Sequence, residues 1–170
     1  MSRLISLMKY LILIYYTLFG LSAHSQHTFN EMVDGLISKE VNVISVVALH
    51  ELIKSENNIV LFDARERQEY AVSHITGAHH CGYDEFSNKL VKKFDKADAI
   101  VVYCSVGYRS DKIAKKLLSL GFTNVRNLYG GIFDWVNTGY PVYTDKGKTN
   151  RIHGYNQKWG KWLKKGEKVF

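Results

Sequence analysis

Proline and cysteine are the scarce residues here: the chain has one proline and two cysteines in 170 residues. One proline beside thirteen glycines excludes a fibrous or disordered chain. Two cysteines exclude a disulfide framework, and a chain of this length can build a core that needs none. Long apolar runs are also lacking. The longest, Tyr10 to Leu21, has twelve residues, short of the roughly 20 that span a bilayer. No internal repeat and no low-complexity linker interrupts the chain. What remains is the composition of one soluble domain, 46% apolar and 23% charged.

The N-terminus departs from that average. Residues 1–9 carry Arg3 and Lys9 and no acid, the apolar run follows, and Ala23 and Ser25 then stand at small-x-small spacing. This is the layout of a secretory signal peptide over residues 1–25, cleaved after Ser25; an N-terminal membrane anchor is the alternative. The expected location is periplasmic or secreted. Without residues 1–25 the net charge falls from +7 to +5. Residues 144–170 hold eight Lys/Arg against two Asp/Glu, so the positive charge belongs to a basic C-terminal tail and the middle of the chain is near neutral. In an oxidising compartment two thiols invite pairing, so Cys81 and Cys104 are either a disulfide or a site with one reactive thiol.

Between these ends, apolar runs alternate with helical patterns. Residues 27–42 read as a lead-in helix, with Val33, Leu36 and Ile37 at helical spacing. Strands are expected at 43–45, 59–62, 77–81, 99–103 and 125–128. Helices are expected at 46–55 (with Ser45 as N-cap), 66–72, 84–93, 110–120 and 132–137. The runs at 59–62 and 99–103 are continuously apolar, as in strands buried on both faces of a parallel sheet. The fold class is therefore α/β, with a parallel sheet. Sites in such folds form at the carboxyl ends of strands, where Asp63 and Cys104 both stand.

The stretch Cys104-Ser105-Val106-Gly107-Tyr108-Arg109-Ser110 joins a buried strand to a helix. Loop amides turned inward make a concave nest, and the helix N-terminus adds positive potential. Gly107 lets the backbone curl, and Arg109 adds a fixed charge unless its side chain turns away. A thiol at the bottom of such a bowl is set up as an anionic nucleophile; the plainer reading is a small buried hydrophobe.

Beside this loop stand Leu61-Phe62-Asp63-Ala64-Arg65, Glu69-Tyr70, His74-Ile75-Thr76-Gly77-Ala78 and Gly130-Gly131-Ile132-Phe133-Asp134-Trp135. In this order and spacing the sequence resembles a single-domain rhodanese, a sulfurtransferase, over residues 43–143. The resemblance implies a central parallel five-stranded sheet with helices on both faces. It implies that Cys104 accepts a sulfane sulfur from thiosulfate or a persulfide donor, carries it as a persulfide and yields it to a thiophilic acceptor, with residues 105–110 as the substrate-binding loop. It implies no cofactor and no metal; the partners would be a small sulfur donor and an acceptor or thiol protein. The same family includes phosphatases whose cysteine and arginine lie one residue further apart. Four residues separate Cys104 from Arg109, a loop that suits sulfur better than a phosphoryl group. A non-catalytic binding module, or less readily a phosphatase or arsenate reductase, is the alternative.

The resemblance also gives Asp63 and Arg65 a supporting role beside the site, and Arg65 could pair with Glu69 four residues on. His74 reads as a structural hydrogen-bonder, with Ser73 in place of the family's usual glycine. His79, His80 and Cys81 alternate across a strand and cannot all reach one metal ion. Trp135 reads as a packing anchor. In residues 144–170, Trp159, Trp162, Leu163 and Phe170 are interleaved with lysines. That pattern fits contact with a membrane surface or a protein, or packing on the domain with the lysines outward; in an exported protein nucleic acid is not expected.

Overall fold

The computed structural model describes residues 28–55 and 58–170. The expected signal segment over residues 1–25 lies outside the described residues, and no helix among those described is long and apolar enough to cross a membrane. The chain divides into two units at the Gly35–Leu36 junction. The described part of the first is a helix, α1, over residues 28–34, after which the Gly35 N–H bonds the Glu31 carbonyl. The lead-in helix thus stops well short of residue 42. Glycine is the weakest helix former in the run short of proline, and Leu36 and Ile37 lie in turns beyond it.

The second unit is built on five parallel strands. They are β1 (Asn42–Ile44), β2 (Ile59–Asp63), β3 (His79–His80), β4 (Ala99–Tyr103) and β5 (Val125–Leu128), in the spatial order β1-β5-β4-β2-β3. Five helices surround the sheet: α2 (Val46–Lys54), α3 (Arg67–Val72), α4 (Asn88–Val91), α5 (Tyr108–Ser119) and α6 (Gly131–Thr138). Strand β4 is central, and Ile100 to Tyr103 are all fully buried. Its alternate residues Ile100 and Val102 join Ile113, Ala114 and Leu117 of α5 in one apolar cluster. Val101 and Tyr103 point to the opposite face and are equally buried, so both faces are covered, as a continuous apolar run requires.

The boundaries that differ from expectation have local causes. Helix α4 begins only at Asn88, because the Ser87 side chain accepts from Lys89 N–H and holds Ser87 extended as an N-cap. Strand β3 shrinks to two residues, since Cys81 and Gly82 turn away with both N–H groups on the Asp63 carbonyl (2.9 and 3.3 Å). Helix α5 starts two residues early, at Tyr108, because Gly107 takes φ +117° and acts as its N-cap. Ser45 caps α2 as expected, accepting from Ala48 N–H.

Residues 142–170 are folded. Strands β6 (Val142–Thr144) and β7 (Gly147–Thr149) form a hairpin, and β8 (Arg151–His153) pairs in parallel with β9 (Glu167–Val169) around the single turn α7 (Gln157–Gly160). His74 and Tyr143 exchange backbone hydrogen bonds at 2.9 Å. Ile152 and Leu163 are buried. The Asn137 amide, on α6, accepts from the N–H groups of Lys164 and Lys165 and donates to the Trp162 carbonyl.

Candidate active site

Strand β4 delivers Cys104 to the carboxyl edge of the sheet between β2 and β5, and the chain then turns directly into α5. Cys104 is 1% exposed and lines a cavity of about 420 Å³. Two donors reach its sulfur: Gly107 N–H at 3.2 Å and the Ser110 hydroxyl at 3.4 Å. Ser110 Oγ also lies 3.1 Å from the Gly107 carbonyl, and it has one proton to give. That carbonyl already accepts from Asp111 N–H and from Asn127 Nδ2, each at 3.0 Å, which fills its two lone pairs. The Ser110 proton is left for the sulfur.

The loop is clamped from behind by α6. Ile132 N–H bonds the Cys104 carbonyl (2.9 Å) and Phe133 N–H the Ser105 carbonyl (3.1 Å). Gly131 makes this approach attainable: a Cβ there would stand 2.3 Å from the Cys104 oxygen, and its φ is +57°. The glycine pair read as part of a family pattern is thus the piece that holds the reactive loop in shape.

Arg109 is turned toward α3. Its Nη1 donates to Glu69 Oε2 (2.6 Å) and its Nη2 to Glu69 Oε1 (2.8 Å) and Ser105 Oγ (3.1 Å). Ser105 Oγ donates in turn to Glu69 Oε1, and Glu66 N–H to Glu69 Oε2. Burial pushes the Glu69 carboxyl up, but the hydrogen bonds and charge of Arg109, with the charge of Arg65 and the Glu66 N–H, outweigh it and hold the group below the usual carboxylate range. Arg109 keeps its charge: burial opposes it, and Glu69 together with nearby Cys104 restores it. Its guanidinium lies 4.9 Å from the Tyr155 ring centroid.

Arg65 does not pair with Glu69. Asp63, two residues back on the strand end, takes it with contacts from the Arg65 N–H, Nε and Nη2 at 2.6–3.1 Å, and both side chains are fully buried. Nη2 also donates to the Ser73 carbonyl at 2.6 Å. The pair fixes the β2–α3 turn, and the Ala64 N–H ties that turn to the Tyr103 carbonyl just before the nucleophile. His74 stacks on Tyr70 (4.0 Å) with Nδ1 on the Tyr70 carbonyl, and His80 Nε2 meets the Arg65 carbonyl. Trp135 is buried, its Nε1–H on the Pro141 carbonyl. Cys81 and Cys104 are both free and buried, just past the ends of β3 and β4, which β2 separates. No group of metal-ligating side chains occurs among the described residues.

The cavity brings together Cys104, Ser105, Val106, Tyr108 and Arg109 with Leu36, Glu66, Tyr83, Asp84, Tyr155 and Trp159. Sequence reasoning did not place Glu69, Asn127, Tyr83, Tyr155 or Trp159 at the site. For Glu69 a signal existed: a buried acid in the first turn of a helix needs a cation, and Arg65 was not the only candidate.

Comparison with known proteins agrees with this geometry. Thiosulfate sulfurtransferase GlpE of Pseudomonas fluorescens is 36% identical over 92 residues, covering 54% of this chain and 83% of that one. Chloroplastic thiosulfate sulfurtransferase 16 of Arabidopsis thaliana is 29% identical over 116 residues, 62% of this chain and 95% of that one. Among solved structures, the BH2092 protein of Bacillus halodurans superposes with a TM-score of 0.58 at 27% identity, over 64% of this chain and 81% of that one. The model of the rhodanese-like domain matches residues 45–138, more than half the chain, and with the five-stranded sheet and the cysteine loop at the end of its central strand, the chain belongs to the rhodanese-like family.

Proposed function

We propose that the protein is a sulfurtransferase that carries sulfur as a persulfide on Cys104. The observation that carries this reading is the pair of donors, Gly107 N–H and Ser110 O–H, directed at the sulfur of a cavity-lining cysteine whose loop is clamped by α6. Donors fixed at the reacting sulfur stabilise the negative charge it carries during transfer. With thiosulfate as donor, the Cys104 thiolate attacks the sulfane sulfur, the S–S bond to sulfite breaks, and sulfite leaves with the electron pair; Cys104 keeps one sulfur as the persulfide anion. An acceptor such as cyanide then attacks the terminal sulfur and departs as thiocyanate, which regenerates the thiolate. Charge balances in both halves, and the two half-reactions give ping-pong kinetics.

The relatives named thiosulfate sulfurtransferase support the class of reaction. The test is sulfur loading. Intact-mass measurement after exposure to thiosulfate should show one added sulfur atom, removed by cyanide and absent in Cys104→Ser. Undiminished thiosulfate-to-cyanide transfer by the serine variant would overturn the reading.

A further inference from the structure

The matched family region ends at residue 138, yet two of the residues that line the Cys104 cavity come from beyond it. Tyr155 and Trp159 stand there with Tyr83 and Tyr108, so four aromatic residues line the cavity that Cys104 lines. Tyr155 is 46% exposed although its backbone is fixed. It holds φ +63°, and its N–H donates to His153 Nδ1 at 3.0 Å. Trp159 N–H is capped by Asn156 Oδ1. Behind α7, the Phe170 ring packs so closely on Gly154 and Gly160 that a Cβ at either would meet it at 3.0 Å or less. A half-exposed tyrosine on a pinned left-handed residue is a presented surface, and the segment that carries it is ordered down to its last strand.

Size and charge point the same way. A cavity of about 420 Å³ falls within the range of about 300–1,000 Å³ typical of sites for organic ligands, far more than a small inorganic anion fills. Among the described residues that line it, Arg109 is the only basic one, beside the acids Glu66 and Asp84. Both ends of the Arg109 fork are engaged by Glu69, and Glu66 lies 3.8 Å from Nη1. Among the described residues of the lining, no unpaired cation is left to receive a dianion, whereas aromatic faces are plentiful.

Resting on the sulfur-transfer reading, we propose that Tyr155 and Trp159 are specificity-determining residues. The C-terminal segment makes the site selective for an organic sulfur donor, a thiosulfonate or persulfide bearing an aromatic or apolar group, over thiosulfate or its small alkyl equivalents. Ring-on-ring packing supplies the discrimination. The transfer itself is unchanged: the thiolate takes the sulfane sulfur and the organic sulfinate or thiolate leaves with the electron pair.

Benzenethiosulfonate and methanethiosulfonate test this. They carry the same reacting group and the same single charge, and differ only in the phenyl or methyl substituent. Sulfur loading of Cys104 gives kcat/KM for each, divided by the rate of the same donor with a small thiol in solution. The wild-type protein should favour the aryl donor by about tenfold, the equivalent of one good aromatic contact. Tyr155→Ala and Trp159→Ala should each bring that ratio most of the way to one, Tyr155→Phe should retain it, and the methyl donor should still load the alanine variants. A wild-type ratio near one, or alanine variants that keep the preference, would overturn the aromatic wall while leaving sulfur transfer intact. Failure of both donors to load Cys104 would overturn the transfer reading, and this one with it.

Discussion

Arg109 ties the cysteine loop to Glu69: both ends of its fork meet the two carboxylate oxygens, at 2.6 and 2.8 Å, on a helix forty residues away in sequence. The contact pins the first turn of α5 to the first turn of α3 and places a neutralised pair, rather than a free cation, beside Cys104. Glu69 is 1% exposed and the Arg109 side chain 13% exposed, so removing one partner strands the other in a poorly solvated site. Glu69→Ala should cost about 3 kcal/mol of unfolding free energy, measured by urea denaturation at neutral pH. The folded Glu69 titrates below its ordinary value of 4.5. Its stabilisation is therefore complete above that value and lost as pH falls through the lower folded one. The wild type should lose stability along this acid limb more steeply than Glu69→Gln; equal slopes would contradict the assignment.

The Ser110 hydroxyl makes a narrower claim. Because Asn127 and Asp111 fill the Gly107 carbonyl, its proton serves Cys104. A hydrogen bond to a charged acceptor contributes about 1.5 kcal/mol or more, so Ser110→Ala should slow sulfur loading about tenfold. Donor KM should change little. Alkylation of Cys104 by iodoacetamide should slow in parallel, since both use the same sulfur as nucleophile. An unchanged alkylation rate would remove Ser110 from this role.

These two predictions mark where the sequence was readable. Strands β2 and β4 were, because each is an unbroken apolar run that ends on a residue of different chemistry, Asp63 or Cys104. The cysteine loop was, because strand, glycine and helix start succeed one another within seven residues. The pairing of charges was not. Glu69 has Arg65 at helical spacing, and local arithmetic prefers it. What local arithmetic misses is that Asp63 holds Arg65 on the strand end before the helix begins, which leaves Glu69 to a partner that only the parallel sheet brings near. Asn127 was hidden likewise, as a polar interruption in β5 whose amide faces a carbonyl twenty residues away. The C-terminal segment showed only lysines among aromatics. Its fold depends on the β8–β9 pairing, which no period in the sequence announces.

Gly131 tests the clamp on the reactive loop. Alanine there combines a left-handed backbone with a Cβ 2.3 Å from the Cys104 carbonyl oxygen, and backbone on both sides cannot yield cheaply. Gly131→Ala should destabilise the fold by on the order of 3 kcal/mol and reduce sulfur loading even where the protein remains folded. Gly121 is the control: its φ is +89° and nothing lies within 4 Å of an added Cβ. Gly121→Ala should cost only about 1 kcal/mol of backbone strain and leave loading intact. Similar effects from the two substitutions would mean that the close approach of α6 to the loop is not what Gly131 provides.

His153 links the C-terminal segment to pH. Its Nδ1 accepts the Tyr155 N–H at 3.0 Å, so the ring must be neutral there, with its proton on Nε2. Burial lowers its proton affinity below the ordinary 6.5; Glu69 opposes this, and Arg65 and Arg109 reinforce it. For a histidine held neutral by the fold, the stabilisation is fully present above the unfolded value and lost as pH falls through the folded one. Below 6.5, then, protonation should begin to compete with the bond that fixes Tyr155. Urea midpoints followed from about pH 7.5 to about pH 5 should fall for the wild type and fall less for His153→Gln, which keeps an acceptor without an imidazole charge. Amide exchange at Tyr155 should accelerate over the same interval in the wild type alone. If the two proteins track each other through that range, the His153–Tyr155 bond is not what holds the aromatic wall.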